Sequence, residues 1–149
     1  MFDTMRNANG IGLAANQVGV LQRIITIDIS ETDEGKGTKP LVLINPEVIK
    51  EDGEWVMEEG CLSVPDIREE VTRAASIRLR FRDINFHEHE IDAHGLLARV
   101  ILHEIDHLDG ILFTDHLNAA KRRHMKGKFI RIKKGETETS YPVAAGIKL

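Results

Sequence analysis

Cysteine is nearly absent from this chain, which has one such residue, Cys61, among its 149. A single thiol excludes a disulfide framework within the chain and fits a reducing compartment. No apolar run is long enough to cross a membrane. The net charge of −4 provides no overall basic field, so we expect neither membrane nor specific DNA binding. With 42% hydrophobic residues, the composition suits one domain over residues 1–149.

The chain does contain a metal-binding pattern, His103-Glu104-Ile105-Asp106-His107. Residues four apart share one face of a helix, so both imidazoles can reach one ion. Glu104 lies about 100° around the helix from His103, where its carboxylate can move a proton instead of binding the ion. Asp106 is placed to orient an imidazole or to pair with an arginine such as Arg73, although a solvated acid is the alternative. The pattern predicts two ligands and a base.

A catalytic site of this type needs a third protein ligand and one open position. The long zinc-protease pattern requires a histidine where this chain has Phe113. The other protease type uses a later glutamate, but only Glu136 and Glu138 follow, and both lie in a polar tail. A metalloprotease that cleaves internal peptide bonds is therefore the weaker alternative.

Cys61 is the remaining candidate for the third ligand. A lone cysteine is more often a small buried apolar residue than a ligand. Its surroundings favour the ligand interpretation, because Gly60 allows close approach and an unusual backbone conformation, and Pro65 stiffens the chain that follows. We expect Cys61 to lie in a loop that brings its sulfur to the two histidines.

The run Gly10-Ile11-Gly12-Leu13-Ala14-Ala15-Asn16-Gln17 is rich in small residues. A nucleotide-binding loop is excluded, because no strand precedes it and neither the Gly-Lys-Ser/Thr ending nor the dinucleotide glycine spacing is present. Two interpretations remain. The run is a tight turn between packed elements, or it brings backbone close to a substrate while the Gln17 amide stabilises an oxyanion.

Together, three segments resemble the signature motifs of the peptide deformylases, in the order of that family. They are the glycine-rich run ending at Gln17, the segment Glu59-Gly60-Cys61-Leu62-Ser63 and the His103–His107 pattern. The likeness continues between the motifs to about Leu117. It implies an α+β enzyme that removes the formyl group from the N-terminal formylmethionine of nascent polypeptides and releases formate. The bacterial cytoplasm, or an organelle, is the implied location.

The resemblance assigns a role to each motif. The implied metal ligands are Cys61, His103 and His107, with water in the fourth position. Glu104 would take the water proton and pass it to the departing amine. The oxyanion would be held by the ion, the Gln17 side chain and the backbone N–H of Leu62. The family implies Fe²⁺ as the native ion, with Zn²⁺, Ni²⁺ or Co²⁺ as substitutes; the ligand types are compatible with both iron and zinc.

The resemblance also implies a binding surface for the formylated peptide. Backbone at residues 11–12 and Gly60, with Arg68, would align the peptide as an added strand, a mode that ignores side-chain identity. The complete set of predicted substrate-binding residues is Ile11, Gly12, Glu59, Gly60, Arg68, Leu96, Arg99 and Val100.

Arg99 departs from the family, which tends to have an apolar residue at this position in the methionine pocket. It lies one helical turn before His103, on the metal-facing side. We expect its stem to form pocket wall while its guanidinium reaches solvent, because burying an unpaired charge is costly. The alternative is a guanidinium that enters and narrows the pocket, which would favour a deformylase-like peptide-binding protein with weak or no turnover.

Periodicity predicts the order of the elements. Residues 23–29 and 41–49 are β-branched strand candidates, and residues 76–83 alternate apolar side chains with arginines. A turn after this strand would lead to a second, partner strand that is rich in Glu and His. A helix is expected over residues 95–109, with Gly110 suited to its end. The expected architecture is α+β, with antiparallel β-sheets packed around a central metal-binding helix.

The two ends of the chain carry further expectations. Residues 1–8 are typical of the last turns of a helix, so the domain would lack the N-terminal segment of the family. Residues 118–149 are predicted to form a basic C-terminal helix and tail. The lysines and arginines of this segment form either a solvated helix face or, as the resemblance implies, a surface that contacts the ribosome.

Overall fold

After a short first helix, the chain forms seven strands up to His94, and the longer helices follow. The computed structural model describes residues 1–143. The strands are β1 (Gly12–Ala14), β2 (Ile24–Ile27), β3 (Leu41–Asp52), β4 (Trp55–Cys61), β5 (Val64–Arg73), β6 (Ser76–Arg82) and β7 (Glu88–His94). The helices are α1 (Phe2–Asn7), α2 (Gly95–Leu108), α3 (Ala119–His124) and α4 (Lys126–Lys134), with short 3₁₀ helices at Ala15–Val18 and Phe113–His116. The predicted α+β class is confirmed.

The larger sheet has five antiparallel strands in the order β1-β2-β3-β6-β7. The alternation predicted for β6 is confirmed, since Ile77, Leu79 and Phe81 are buried. The arginines between them point to the other face and pair across to β7. These pairs are Arg78–Asp92, Arg80–Glu90 and Arg82–Glu88. One face of the sheet therefore belongs to the core and the other carries a ladder of charges.

Helix α2 packs on the apolar face of this sheet. Ala98 and Ile101 are fully buried in the same core as Ile25 and Leu43. The helix ends as predicted, because Gly110 follows it with φ of 75°, a left-handed conformation that glycine adopts without strain. One face of α2 is thereby fixed against the sheet, and its histidines are free to face the second sheet.

The second sheet is a hairpin of β4 and β5, which periodicity did not predict as strands. Glu58 pairs with Glu70 and Gly60 with Arg68 in its register. Its apolar side chains form a separate small core; this core contains Val64, Ile67, Val71, Phe113, Leu117 and Met125. Glutamates and arginines interrupt the alternation of apolar and polar residues that would indicate these strands. Cys61 was expected in a loop, but it is the last residue of β4.

A buried ionic network joins the hairpin to α2. The Glu59 carboxylate of β4 accepts hydrogen bonds from Arg73 Nε at 2.6 Å, from Arg99 Nη1 at 2.6 Å and from the ring of His103 at 2.9 Å. Arg73 also donates to Asp106 at 2.7 Å, so pairing with this arginine, one of the alternatives for Asp106, is observed. Two carboxylates and two guanidinium groups of the hairpin and the helix, together with the ring of His103, thus form one network that is largely shielded from solvent.

The expectation that the Arg99 guanidinium reaches solvent is wrong. Arg99 is only 3% exposed, and its head lies between the hairpin and α2. Besides Glu59, it donates to the backbone carbonyls of Val71 and Trp55, and it lies 4.9 Å from the centroid of the Trp55 ring. The guanidinium is buried with partners, because the hairpin, which periodicity did not predict, supplies an anion, two carbonyls and an aromatic face.

Short helices lie near both ends of the described residues. Residues 1–8 are helical over Phe2–Asn7, with Met5 fully buried. The predicted basic helix is divided at the buried Met125 into α3 and α4. The part of that segment beyond residue 143 lies outside the described residues. Across residues 1–143, no helix combines the length and apolar character that a membrane crossing requires.

The network yields a stability prediction. Glu59→Gln would leave Arg73 and Arg99 buried with a neutral partner, so the free energy of unfolding of the metal-free protein should fall by about 3 kcal/mol. Burial acts to raise the pKa of Glu59, but hydrogen bonds from His103 and Arg73 outweigh it and lower this pKa to about 2. The stability from Glu59 is therefore present above the ordinary carboxyl pKa and is lost as the pH falls towards 2.

Urea unfolding between pH 7 and pH 3 measures both effects. Glu58→Gln is the matched control, because the neighbouring Glu58 side chain is 61% exposed and should change stability little. Equal stability of the two variants at pH 7 would contradict the energetic importance of the network.

Candidate metal centre

Three side chains with metal-ligating atoms converge between the hairpin and α2. They are Cys61, His103 and His107, whose ligand atoms all lie within 4.8 Å of one another. The Cys61 sulfur is 3.0 Å from His107 Nε2. Among residues 1–143, this is the group of cysteine, histidine and acidic side chains that could hold an ion. The convergence predicted from the two motifs is present.

The position of the sulfur follows from the end of the hairpin. Cys61 ends β4, and the tight turn that begins there lets the Ser63 N–H reach the Cys61 sulfur at 3.4 Å. Gly60 does not have the unusual backbone conformation expected from the sequence, since its φ is not positive. It provides close approach instead, because a Cβ there would lie 3.3 Å from Arg68 Cγ across the hairpin.

Electrostatics favour the ligand form of the thiol. Burial acts to raise the pKa of Cys61, but hydrogen bonding to His103 and His107 and their charge outweigh it and lower this pKa to about 6. The thiolate is the form that binds metals. Burial acts to lower the pKa of His103, yet contacts with Cys61 and Glu59 raise it to about 10. Both shifts favour negative charge on the sulfur, which suits the binding of a cation.

Glu59 orients one of the histidines. Its carboxylate is 2.9 Å from His103 Nδ1, so the other ring nitrogen, Nε2, is left to face an ion. Asp106, which holds Arg73, is also contacted by the ring of His116 at 2.7 Å. No motif in the sequence distinguishes His116 from the other histidines outside the His103–His107 pattern. Its side chain is 37% exposed, but it lies at the outer end of this network.

Glu104 lies beside the ligands and is only 4% exposed. Burial raises its pKa to about 7, against the opposing charges of His103 and His107. Within the described residues its Oε2 atom has no hydrogen-bond partner. Gly12 makes room for it, because a Cβ at that position would overlap Glu104 Oε1 and lie 2.8 Å from Val100 Cγ1. The glycine is thus required by the carboxylate.

Gln17 reaches the site from the short helix after β1. Its Oε1 atom accepts a hydrogen bond from the Ala14 N–H at 2.8 Å, and its Nε2 donates to Ser63 Oγ at 2.9 Å. The side chain therefore links the glycine-rich run to the turn after Cys61. One N–H of the amide is left for another acceptor.

A cleft of about 850 Å³ opens in front of these residues. All eight predicted substrate-binding residues line it; they are Ile11, Gly12, Glu59, Gly60, Arg68, Leu96, Arg99 and Val100. Gln17, Leu62 and Glu104 line the same cleft. The glycine-rich run is therefore part of the cleft wall and not only a packing turn. The roles of these residues in binding stay predictions.

Other cleft residues were not foreseen from the sequence. Lys128 and the tail residues 138–141 form part of the wall. Tyr141 donates a hydrogen bond from its hydroxyl to the Leu62 carbonyl at 3.0 Å. The available signal was weak, since it consisted of the single tyrosine of the chain standing in a polar tail.

The arrangement does not fit the protease alternative. Phe113, which stands where the long protease pattern has a histidine, is 1% exposed and stacks on His103 with 6.2 Å between ring centroids. It closes one side of the site as an apolar wall, and the sulfur of Cys61 is the third atom that could bind a metal beside the two histidines.

Comparisons with known proteins agree with this geometry. A peptide deformylase of Chlorobaculum tepidum is 47% identical over 147 residues, which cover 99% of this chain and 79% of the relative. One from Salinibacter ruber is 46% identical and covers 96% of this chain and 77% of the relative. The crystal structure of peptide deformylase from Thermus thermophilus superposes with a TM-score of 0.82 at 36% identity, covering 91% of this chain and 81% of that one.

A structure from Legionella pneumophila, described as a peptide deformylase, gives a TM-score of 0.79 at 42% identity, with 91% of this chain and 78% of that chain covered. The family model described as polypeptide deformylase matches residues 1–123, which include the glycine-rich run, the hairpin and α2. From this match and these relatives, the chain belongs to the polypeptide deformylase family.

Proposed function

We propose that this protein removes the N-formyl group from the N-terminal formylmethionine of nascent polypeptides and releases formate. The observation that carries the proposal is the convergence of Cys61, His103 and His107 beside the buried carboxylate of Glu104. Membership of the deformylase family supports the same reaction. Hydrolysis of a formamide requires an activated water, a proton carrier and donors for an oxyanion, and candidates for each line one cleft.

The family depends on a metal, and the donor set fits a divalent cation. One thiolate and two imidazoles suit Fe²⁺ as well as Zn²⁺, and the unpartnered Glu104 oxygen faces the same space. We propose Fe²⁺ as the native ion, with Zn²⁺, Ni²⁺ or Co²⁺ as substitutes. When bound, such an ion supplies Lewis acidity, which makes water a stronger acid and polarises a carbonyl.

Glu104 is the proposed proton carrier. It accepts a proton from the attacking water and delivers it to the amino group of methionine as the bond from carbon to nitrogen breaks. A pKa of about 7, caused by burial, suits a group that must both accept and donate near neutral pH. Because Glu104 is almost completely buried, the proton stays within the site between the two steps.

Gln17 and Leu62 are the proposed donors to the oxyanion. The second N–H of the Gln17 amide is free to donate while the first holds Ser63 Oγ. Leu62 follows Cys61 directly, so its backbone N–H lies beside the ligand sulfur. Loss of one such donor typically slows a reaction by about 100- to 1,000-fold.

The peptide would lie along the cleft between the glycine-rich run and the hairpin. Backbone at Ile11, Gly12 and Gly60 would pair with it, which allows many sequences to bind. Leu96 and Val100 would contact the methionine side chain. Arg99 is compatible with this pocket, because Glu59 neutralises its charge and only its stem is left to line the wall.

Substitution of the proposed base tests the reaction. Glu104→Gln should lower kcat for a formyl-Met-Ala-Ser peptide by at least about 100-fold, because the amide neither accepts nor returns the proton. Bound metal, measured by elemental analysis, should be unchanged. Release of formate is the readout, and Asp109→Asn on the exposed end of α2 is the control. A wild-type protein that binds the peptide without turnover would instead favour a deformylase-like binder.

The metal proposal has its own test. Protein purified without oxygen and loaded with Fe²⁺ should release formate faster than the zinc form, and exposure to air should remove the difference. Cys61→Ser should weaken Co²⁺ binding and abolish the absorption that a thiolate gives to bound Co²⁺, whereas His94→Asn on β7 should leave both intact. Unchanged Co²⁺ spectra in the Cys61 variant would contradict the ligand set.

We also propose that the basic segment after residue 118 meets the ribosome, which would place the enzyme in the cytoplasm where nascent chains emerge. The last turn of α3 carries Lys121, Arg122 and Arg123, and that of α4 carries Arg131, Lys133 and Lys134. Two short helices concentrate these cations, and ribosomal RNA supplies phosphates.

A purely electrostatic contact must weaken with salt. Raising the salt from 50 to 200 mM should lower ribosome affinity by about tenfold or more, because counterions compete with the cations. Lys133→Glu with Lys134→Glu should weaken co-sedimentation with ribosomes. The paired control, Lys36→Glu with Lys39→Glu in the loop before β3, should not. Salt-independent binding would contradict the proposal.

A further inference from the structure

The tail of the chain returns to the cleft after α4. Gly135 ends that helix in a left-handed conformation with φ of 70°. The reversal is fixed by two hydrogen bonds, from the Glu136 N–H to the Arg131 carbonyl at 2.9 Å and from the Arg131 guanidinium to the Glu136 carbonyl at 3.2 Å. Residues 138–141 then form part of the cleft wall, far in sequence from the motifs that form the rest of it.

Tyr141 connects the tail to the backbone of the turn after Cys61. Its hydroxyl donates to the Leu62 carbonyl at 3.0 Å, across a separation of 79 residues. The backbone of Tyr141 is itself braced, because Thr139 Oγ1 donates to the Tyr141 carbonyl at 2.6 Å. The bond therefore joins an anchored tail to the turn between β4 and β5.

That turn is held from several sides. The Ser63 hydroxyl accepts from Gln17, the Ser63 N–H points to the Cys61 sulfur, and the Leu62 carbonyl accepts from Tyr141. The two peptide groups that flank Leu62 share its backbone torsions. Because Cys61 is held on the other side as the last residue of β4, fixing the carbonyl limits the directions open to the Leu62 N–H. The Leu62 carbonyl and the Ser63 N–H belong to one planar peptide group, so Tyr141 and the Cys61 sulfur hold that group from its two sides.

We infer that Tyr141 is a positioning residue, whose hydroxyl holds the Leu62 peptide so that the Leu62 N–H points to the oxyanion. This inference rests on the proposed function. Tyr141 does not touch the reacting atoms; it acts through Leu62. Burial and the nearby charges of Cys61 and Asp66 raise the pKa of Tyr141, so its hydroxyl stays protonated and remains a donor throughout the range of an assay.

The test is Tyr141→Phe in the full chain with its metal, assayed on formyl-Met-Ala-Ser. An oxyanion contact exists in the transition state and not in the bound substrate, so kcat should fall by about five- to tenfold while KM is unchanged. Metal content and thermal midpoint should match the wild type. Thr38→Val removes a hydroxyl that donates to the Gly35 carbonyl in an exposed loop, and it should leave both constants unchanged.

The outcomes separate this inference from the function on which it rests. No formate from the wild type would refute the proposed reaction. An active wild type with an unchanged kcat in Tyr141→Phe would overturn the role of Tyr141. A rise in KM alone would also overturn it, because the tail would then bind the peptide directly. A fall in kcat together with loss of metal would show a structural effect and would count against positioning as well.

Discussion

The fold and the site both depend on the buried carboxylate of Glu59. It neutralises Arg73 and Arg99, which would otherwise be buried cations, and it holds the ring of His103. A buried ion pair often adds little net stability, but removal of one partner is strongly unfavourable. The network therefore acts mainly on geometry, because it fixes the end of the hairpin against α2. The distance from the Cys61 sulfur to the histidines is a consequence of that fit.

The motifs predicted the site better than periodicity predicted the fold. The spacing of His103 and His107 requires only a helix, and a single cysteine left few candidates for the third ligand. The large sheet and α2 were also predictable, since their apolar faces are regular. The hairpin was not, because its strands carry Glu59 and Arg73 towards the interior, where periodicity expects apolar residues. Arg99 was misplaced for the same reason, since its partners lie on that unpredicted hairpin.

Tertiary contacts over long separations are the part that the sequence could not predict. The tail lines the cleft, and Tyr141 donates a hydrogen bond to a backbone carbonyl there. No pattern of residues in the sequence predicts such a contact. Gly60 illustrates a related difficulty. A glycine can serve backbone freedom or close approach, and only the register of β4 against β5 shows that Gly60 provides space for Arg68.

The charged ladder between β6 and β7 has a consequence for how this molecule behaves among its own copies. β7 is the last strand of the large sheet, and its outer edge has hydrogen-bonding groups that another strand could use. Glu88, Glu90 and Asp92 on this strand are held by arginines of β6. An incoming strand would bring its own side chains against this row of fixed ions. The edge is thereby protected from the intermolecular β-pairing that leads to aggregation.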